Sequence, residues 1–164
     1  MRQFHLLNDG RLPKMYKKLS VSICIPAYNE GKNIERVLDG LAIQETKRVV
    51  INKVVVVSSG SNDETNDIVK EYCKRYSHFS LLIQEERRGK ASAINAFLRN
   101  TDDEVVVIES ADTFPHINTI EKLCVPFLQD EKIGMTGGAP IPVNDPETFL
   151  GYIIHAWWWF HRNI

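Results

Sequence analysis

No stretch of this 164-residue chain approaches the roughly 18 consecutive apolar residues of a membrane span, because the longest candidate, Tyr152 to Phe160, is broken by His155. The opening segment MRQFHLLNDGRLPKMYKKLS also lacks the apolar run of a secretory leader. It reads as a basic N-terminal extension over residues 1–19. Net charge is nearly absent: 20 Lys plus Arg stand against 21 Asp plus Glu. That balance argues against a broad basic face, so nucleic acid is not an expected partner. Cysteine is scarce as well. Cys24, Cys73 and Cys124 form no CxxC pair, and three separated thiols without a leader fit core positions in a reducing cytoplasm rather than disulfides or a zinc site.

What is present is alternation. Ser20–Pro26 is a β-branched run closed by proline, and Ile34, Val37, Leu38, Leu41 and Ala42 then recur on one helical face. Lys53–Val57 is apolar without a period of two, as expected of a strand covered on both sides. Ser61 and Glu64 form an S-x-x-E capping box ahead of Ile68, Val69, Tyr72, Cys73 and Tyr76. Strands follow over Ser80–Gln84 and Glu104–Glu109, separated by a helix over Lys90–Arg99 with Ala91, Ile94 and Leu98 inward. A fourth helix after Pro115 carries Ile117, Ile120, Leu123, Cys124, Phe127 and Leu128 and should be kinked or shortened at Pro126. Ile133–Thr136 reads as a fifth strand. The fold class is therefore α/β, an open, mostly parallel sheet with helices on both faces.

Several chemistries are excluded by missing motifs. Arg88-Gly89-Lys90-Ala91 imitates the end of a phosphate-binding loop, but Gln84 stands where its leading glycine belongs and Ala91 where its Ser or Thr belongs. No GxGxxG follows the first strand, no HExxH pairs the five histidines, and no GxSxG elbow exists. P-loop hydrolysis, dinucleotide redox chemistry, zinc proteolysis and serine hydrolysis all lose their support.

Ligands of such sheets bind beyond the carboxyl ends of the strands, and three loops there carry unusual residues. Pro26-Ala27-Tyr28-Asn29-Glu30 sets an aromatic ring and a carboxylate at a helix entrance, suited to stacking a base and accepting ribose hydroxyls. Ser58-Ser59-Gly60-Ser61-Asn62-Asp63 is a run of small polar groups, and Ser110-Ala111-Asp112 places a lone acid after an apolar strand. Each is also ordinary turn or cap chemistry when taken alone. Their placement at one sheet edge points to a site.

The ordered blocks VSICIPAYNEGKNIERVL, VVVVSSGSNDET, RGKASAINAF and VVVIESAD resemble the nucleotide-sugar half of a family 2 glycosyltransferase with the GT-A fold. The resemblance implies that Pro26, Ala27, Tyr28 and Glu30 line a nucleoside pocket and that Lys90 and Asn95 face the nucleotide. It sets Ser58 and Ser59 where the family has two aspartates. It also sets Ser110, Ala111 and Asp112 on the DxD motif, with Asp112 holding a divalent metal, Mg or Mn, on the diphosphate. Ser110 replaces the motif's first acid, so metal binding rests on Asp112, with the Ser110 hydroxyl or Glu109 nearby. The implied reaction is metal-assisted, inverting transfer of a sugar to an acceptor hydroxyl.

A non-catalytic nucleotide-binding or assembly module derived from such an enzyme is the second reading, favoured by serine at positions 58, 59 and 110 and by a general base that is not assigned. A nucleotidyltransferase is the third. Asp145 and Glu147 are the only late acids, and they read as a solvated turn.

Residues 20–150 are expected to form the donor-binding domain, and 151–164 to begin an incomplete acceptor-binding half. In GYIIHAWWWFHRNI neighbours on a helix point about 100° apart, so three consecutive tryptophans cannot share one core. The tail is expected to leave apolar surface for a missing half, for a peripheral contact at the inner membrane face near a lipid-linked or saccharide acceptor, or for a homo-oligomer.

Overall fold

A computed structural model describes residues 18–163. The expected basic extension lies almost wholly outside the described residues. Four strands, β1 (Leu19–Ala27), β2 (Val49–Ser59), β3 (Phe79–Gln84) and β4 (Val105–Ile108), form one sheet in the order β3-β2-β1-β4. Every pairing is parallel. Asn52 is passed over where the β1–β2 register shifts, Val21 facing Ile51 and Ser22 facing Lys53.

The helices are α1 (Ile34–Ala42), α2 (Thr65–Arg75), α3 (Gly89–Leu98), α4 (Thr119–Gln129) and α5 (Phe149–Arg162). Alternation along the strands distributes them over two layers. Val21, Ile23 and Ile25 of β1 and Val54 and Val56 of β2 join Leu38 of α1, Val69 of α2 and Ile120 of α4 in one buried cluster. Cys24 and Val57 point the other way, to Ala93, Ala96 and Phe97 of α3. The three thiols are free; burial pushes Cys24 up to about 12 and Cys124 up to about 11, which suits core residues.

Four local expectations are corrected. Ile133–Thr136 is not a strand: it has no ladder, although it runs beside β4 along a groove of about 610 Å³. The inward face of α3 is Ala93, Ala96 and Phe97, while Ala91 and Leu98 are exposed and Ile94 only half-buried. Ser61 does not cap α2. Its Oγ accepts from Asn29 N–H at 3.1 Å, and Asp63 serves the helix entrance by accepting from Thr65 N–H at 3.0 Å. Finally, α4 passes through Pro126 and continues to Gln129. A proline near a helix C-terminus removes only one donor, which limits the damage.

Helix α5 is capped by Thr148, whose Oγ1 accepts from Gly151 N–H at 3.1 Å. Asp145 and Glu147 are exposed, and Asp145 accepts from Glu147 N–H at 3.0 Å, as a turn before a helix requires. Phe149, Leu150, Tyr152, Ile153, Trp157, Trp159 and Phe160 are all exposed. No described helix is long and apolar enough to cross a membrane.

Candidate donor-binding site

Strand order reverses between β1 and β4, because the chain leaves β1 toward β2 and β3 and returns to β4 on the opposite side. Loops diverge at such a switch point and leave a crevice at the strands' carboxyl ends. Here the crevice is a cavity of about 350 Å³. Pro26, Ala27, Tyr28 and Glu30 line it from the β1 side, Ser59 from β2, and Ser110, Ala111 and Asp112 from the loop after β4. Lys90 and Ala93 of α3 complete it with Arg87 and Gly89.

Two expected residues stand apart from this lining. Ser58 is fully buried and donates or accepts with Ser61 Oγ at 2.8 Å, so it braces its own loop. Asn95 is exposed on α3, two residues past Ala93, and does not line the cavity. Conversely, Arg87, Gly89 and Ala93 were not singled out from the sequence as lining residues. The guanidinium of Arg87 lies 3.9 Å from the centroid of the Tyr28 ring. A cation over a ring face is attracted by the ring quadrupole, which steadies a half-exposed tyrosine.

The β1 loop is held by its neighbour. Asn29 adopts φ 53, a left-handed conformation that asparagine tolerates, and its Oδ1 accepts from Asn62 N–H at 2.9 Å. Glu30 N–H donates to Thr65 Oγ1 at 2.8 Å, and Gly31 N–H to Asp63 Oδ2 at 3.0 Å. Burial opposes ionisation of Asp63, but its hydrogen bonds from Thr65 and Gly31 prevail and hold its carboxyl below the usual range.

A second clasp joins β2 to the loop before α3. Arg88 N–H donates to Ser59 Oγ at 2.9 Å, and Gly60 N–H to Gln84 O at 2.9 Å. Gly60 has φ +75, and a Cβ there would meet Arg87 N at 2.5 Å. Gly60→Ala is expected to destabilise the protein by about 2 kcal/mol, the order of a left-handed alanine pressed against backbone, and to displace Arg87. Equal urea midpoints for variant and wild type would contradict this.

Electrostatically the cavity floor is mixed. The α3 N-terminus opens onto it with no acid in its first turn, and Lys90 Nζ reaches Ser110 Oγ at 3.5 Å. Positive helix ends and ammonium groups favour an anion. Opposite them, Asp112 is exposed while Glu109 is buried. Burial, reinforced by the nearby Asp112 charge, pushes Glu109 up to about 7 against the pull of Ser110 N–H and Lys90. Among the described residues no group of three or more His, Cys, Asp or Glu is placed to hold a metal ion, so a cation here would need oxygens from its ligand.

The family model for glycosyl transferase family 2 matches residues 22–163. The chain belongs to that family. It is 28% identical over 159 residues to a probable glycosyltransferase, YdaM, of Bacillus subtilis, a match covering 90% of this chain and 34% of the relative. The mannosyltransferase PcManGT of Pyrobaculum calidifontis, solved with GDP-Man and Mn2+, superposes with a TM-score of 0.62 at 34% identity, over 71% of this chain and 34% of that one. Glucosyl-3-phosphoglycerate synthase of Mycobacterium tuberculosis, solved with Mn2+, UDP and glucosyl-3-phosphoglycerate, gives 0.58 at 27% identity, over 70% and 42%. The parallel sheet is thus GT-A-like, and the chain spans about a third of the length of the curated relatives it matches.

Proposed function

We propose that this chain supplies the donor half of a glycosyltransferase, which moves a sugar from a nucleoside diphosphate to an acceptor hydroxyl. In that reaction the acceptor oxygen bonds to the anomeric carbon, the bond to the diphosphate breaks, and the acceptor loses its proton. The observation that carries the reading is the convergence of Tyr28, Lys90 and Asp112 on one cavity at the β1/β4 switch point. A ring that stacks a base, a cation for phosphate and an acid for a metal are the three groups a nucleotide sugar requires. The sugar nucleotides and Mn2+ bound by the two structural neighbours support the same assignment.

Asp112 would hold the divalent ion, with Ser110 beside it; this exposed carboxylate and hydroxyl suit a hard cation that keeps waters and takes its remaining oxygens from phosphates. When bound, such an ion neutralises charge on the departing diphosphate. Lys90 and the α3 N-terminus bind the same diphosphate from the opposite wall. Tyr28 orients the nucleoside, and Glu30 is left to accept from ribose, its Oε2 already accepting from Asn33 Nδ2 at 3.1 Å.

Calorimetry with UDP and GDP, with and without Mn2+, tests the reading. Metal-enhanced binding of at least one nucleotide is the expected result, and binding of neither would end the proposal. Serine at 58, 59 and 110 favours a second reading, a nucleotide-binding module without turnover. Release of sugar from the donor in the presence of added acceptors separates the two.

A further inference from the structure

Beyond β4 the main chain bonds once more to the sheet, from Glu109 N–H to Cys24 O at 2.9 Å, and Asp112 is exposed three residues farther on. The place of its carboxylate therefore depends on what holds the loop from its other end. That hold comes from α1 and the turn after it. The Arg36 guanidinium lies 3.8 Å from the centroid of the Phe114 ring, two residues past Asp112. One helical turn on, Gly40 lies against Pro115, whose O a Cβ there would meet at 3.0 Å. Gln44 closes the contact. Its Nε2 donates to Gly40 O at 2.8 Å and to His116 O at 2.7 Å, which commits both amide hydrogens, and its Oε1 accepts from Ile120 N–H at 3.0 Å.

None of these three α1-side residues lines the cavity. Yet α1 is the helix that the Tyr28 loop enters, since Ile34 N–H donates to Glu30 O at 2.8 Å and Glu30 belongs to the Tyr28 wall. One nine-residue helix thus begins at one wall and, at its far end, grips the loop of the other. A regular element that carries both sides of a site holds them at a fixed separation better than loops alone can.

Resting on the donor-site reading above, we propose that Gln44, assisted by Arg36, is a positioning residue for Asp112: it ties the loop after β4 to α1 and so fixes where a divalent ion sits relative to the Tyr28 wall. Groups that hold a metal ligand in place from outside the site alter metal affinity by about 10- to 100-fold. The competing role is purely structural. Gln44 Oε1 also serves the entrance of α4, where Asn118 makes no side-chain cap bond. Glutamate separates the two roles, because it keeps an acceptor for Ile120 N–H and loses both donations to the loop and to α1.

The test measures UDP and GDP affinity by calorimetry with and without Mn2+, beside urea midpoints, for wild type, Gln44→Ala, Gln44→Glu and Arg36→Ala. The ratio of affinity with Mn2+ to affinity without it should fall about tenfold in both Gln44 variants and about threefold in Arg36→Ala, with metal-free affinity within about twofold throughout. Once Asp112 is replaced by alanine, adding Gln44→Glu should change neither affinity, since the two residues act as one unit. An unchanged ratio in folded Gln44→Glu, an equal loss without metal, or a further loss in the double variant would leave Gln44 a structural role only and overturn the inference, with the donor site intact. A wild type that binds neither nucleotide ends the donor-site reading, and one that binds without enhancement by Mn2+ ends the metal's place in it; this inference falls with either. Should the Gln44 variants not fold, Arg36→Ala, at an exposed position, decides the matter.

Discussion

Asp112→Ala is expected to lose about 100-fold or more of the Mn2+-dependent affinity for a nucleoside diphosphate while leaving metal-free affinity within about twofold. The magnitude follows from the ligand set. Among the described residues Asp112 is the only exposed acid of the cavity wall, the other lining acid being the half-buried Glu30, which already accepts from Asn33. Truncating one partner of a close charge pair costs roughly 2–5 kcal/mol, and 100-fold corresponds to about 2.7 kcal/mol. Stability should not change, because an exposed loop carboxylate supports no core. Isothermal titration at fixed nucleotide with and without Mn2+ reads both quantities. Equal losses in the two conditions would show that Asp112 touches the nucleotide rather than an ion.

Glu109→Gln is expected to stabilise the protein at pH 8 by up to about 3 kcal/mol and to have little effect near pH 5. Glu109 titrates near 7 in the folded chain against 4.5 for an unhindered side chain, burial being the main cause. The folded state therefore holds a proton that the unfolded state has released. Stability from this group is fully present below 4.5 and is lost as pH rises through 7. The gap between those two values, at about 1.36 kcal/mol per pH unit, sets the ceiling. Glutamine keeps the shape and removes the ionisation. Urea unfolding of both proteins across pH 5 to 8 should show the wild type falling relative to the variant; parallel curves would mean that Glu109 stays ionised in the fold.

The layered α/β class was legible because apolar strands alternate with single helical stripes, and periodicity reports which side of an element is covered. Order within the sheet was not, since β1 meets β4 through contacts more than 80 residues apart, such as Val21 with Val105. The failures share a cause. Ile133–Thr136 has the composition of a strand, but a strand exists only where another chain segment bonds to it, and composition does not supply the neighbour. On α3, Ala91, Ile94 and Leu98 fit a helical stripe as well as Ala93, Ala96 and Phe97 do. The bulk of Phe97 decided between them. Ser61 matched a capping pattern, yet Asp63 lies nearer the first turn and takes its donors.

Most of the candidate site could be named from its loops, whereas Arg87 could not. It enters the cavity only because Ser59 and Gly60 fasten its loop to the end of β2. Ser58 and Ser59 look alike in sequence. Their separate roles arise from strand alternation, which turns one inward to Ser61 and the other toward the cavity.

The two walls of the cavity are carried by strands of unequal security. β1 is zippered along both margins, to β2 and to β4, whereas among the described residues β4 is joined only to β1 and leaves Val106 and Ile108 uncovered. Strands with one bonded margin open at lower cost than those with two. The Tyr28 wall is thus a rigid jaw and the Asp112 wall a compliant one, so a ligand bridging them would tighten the second against the first.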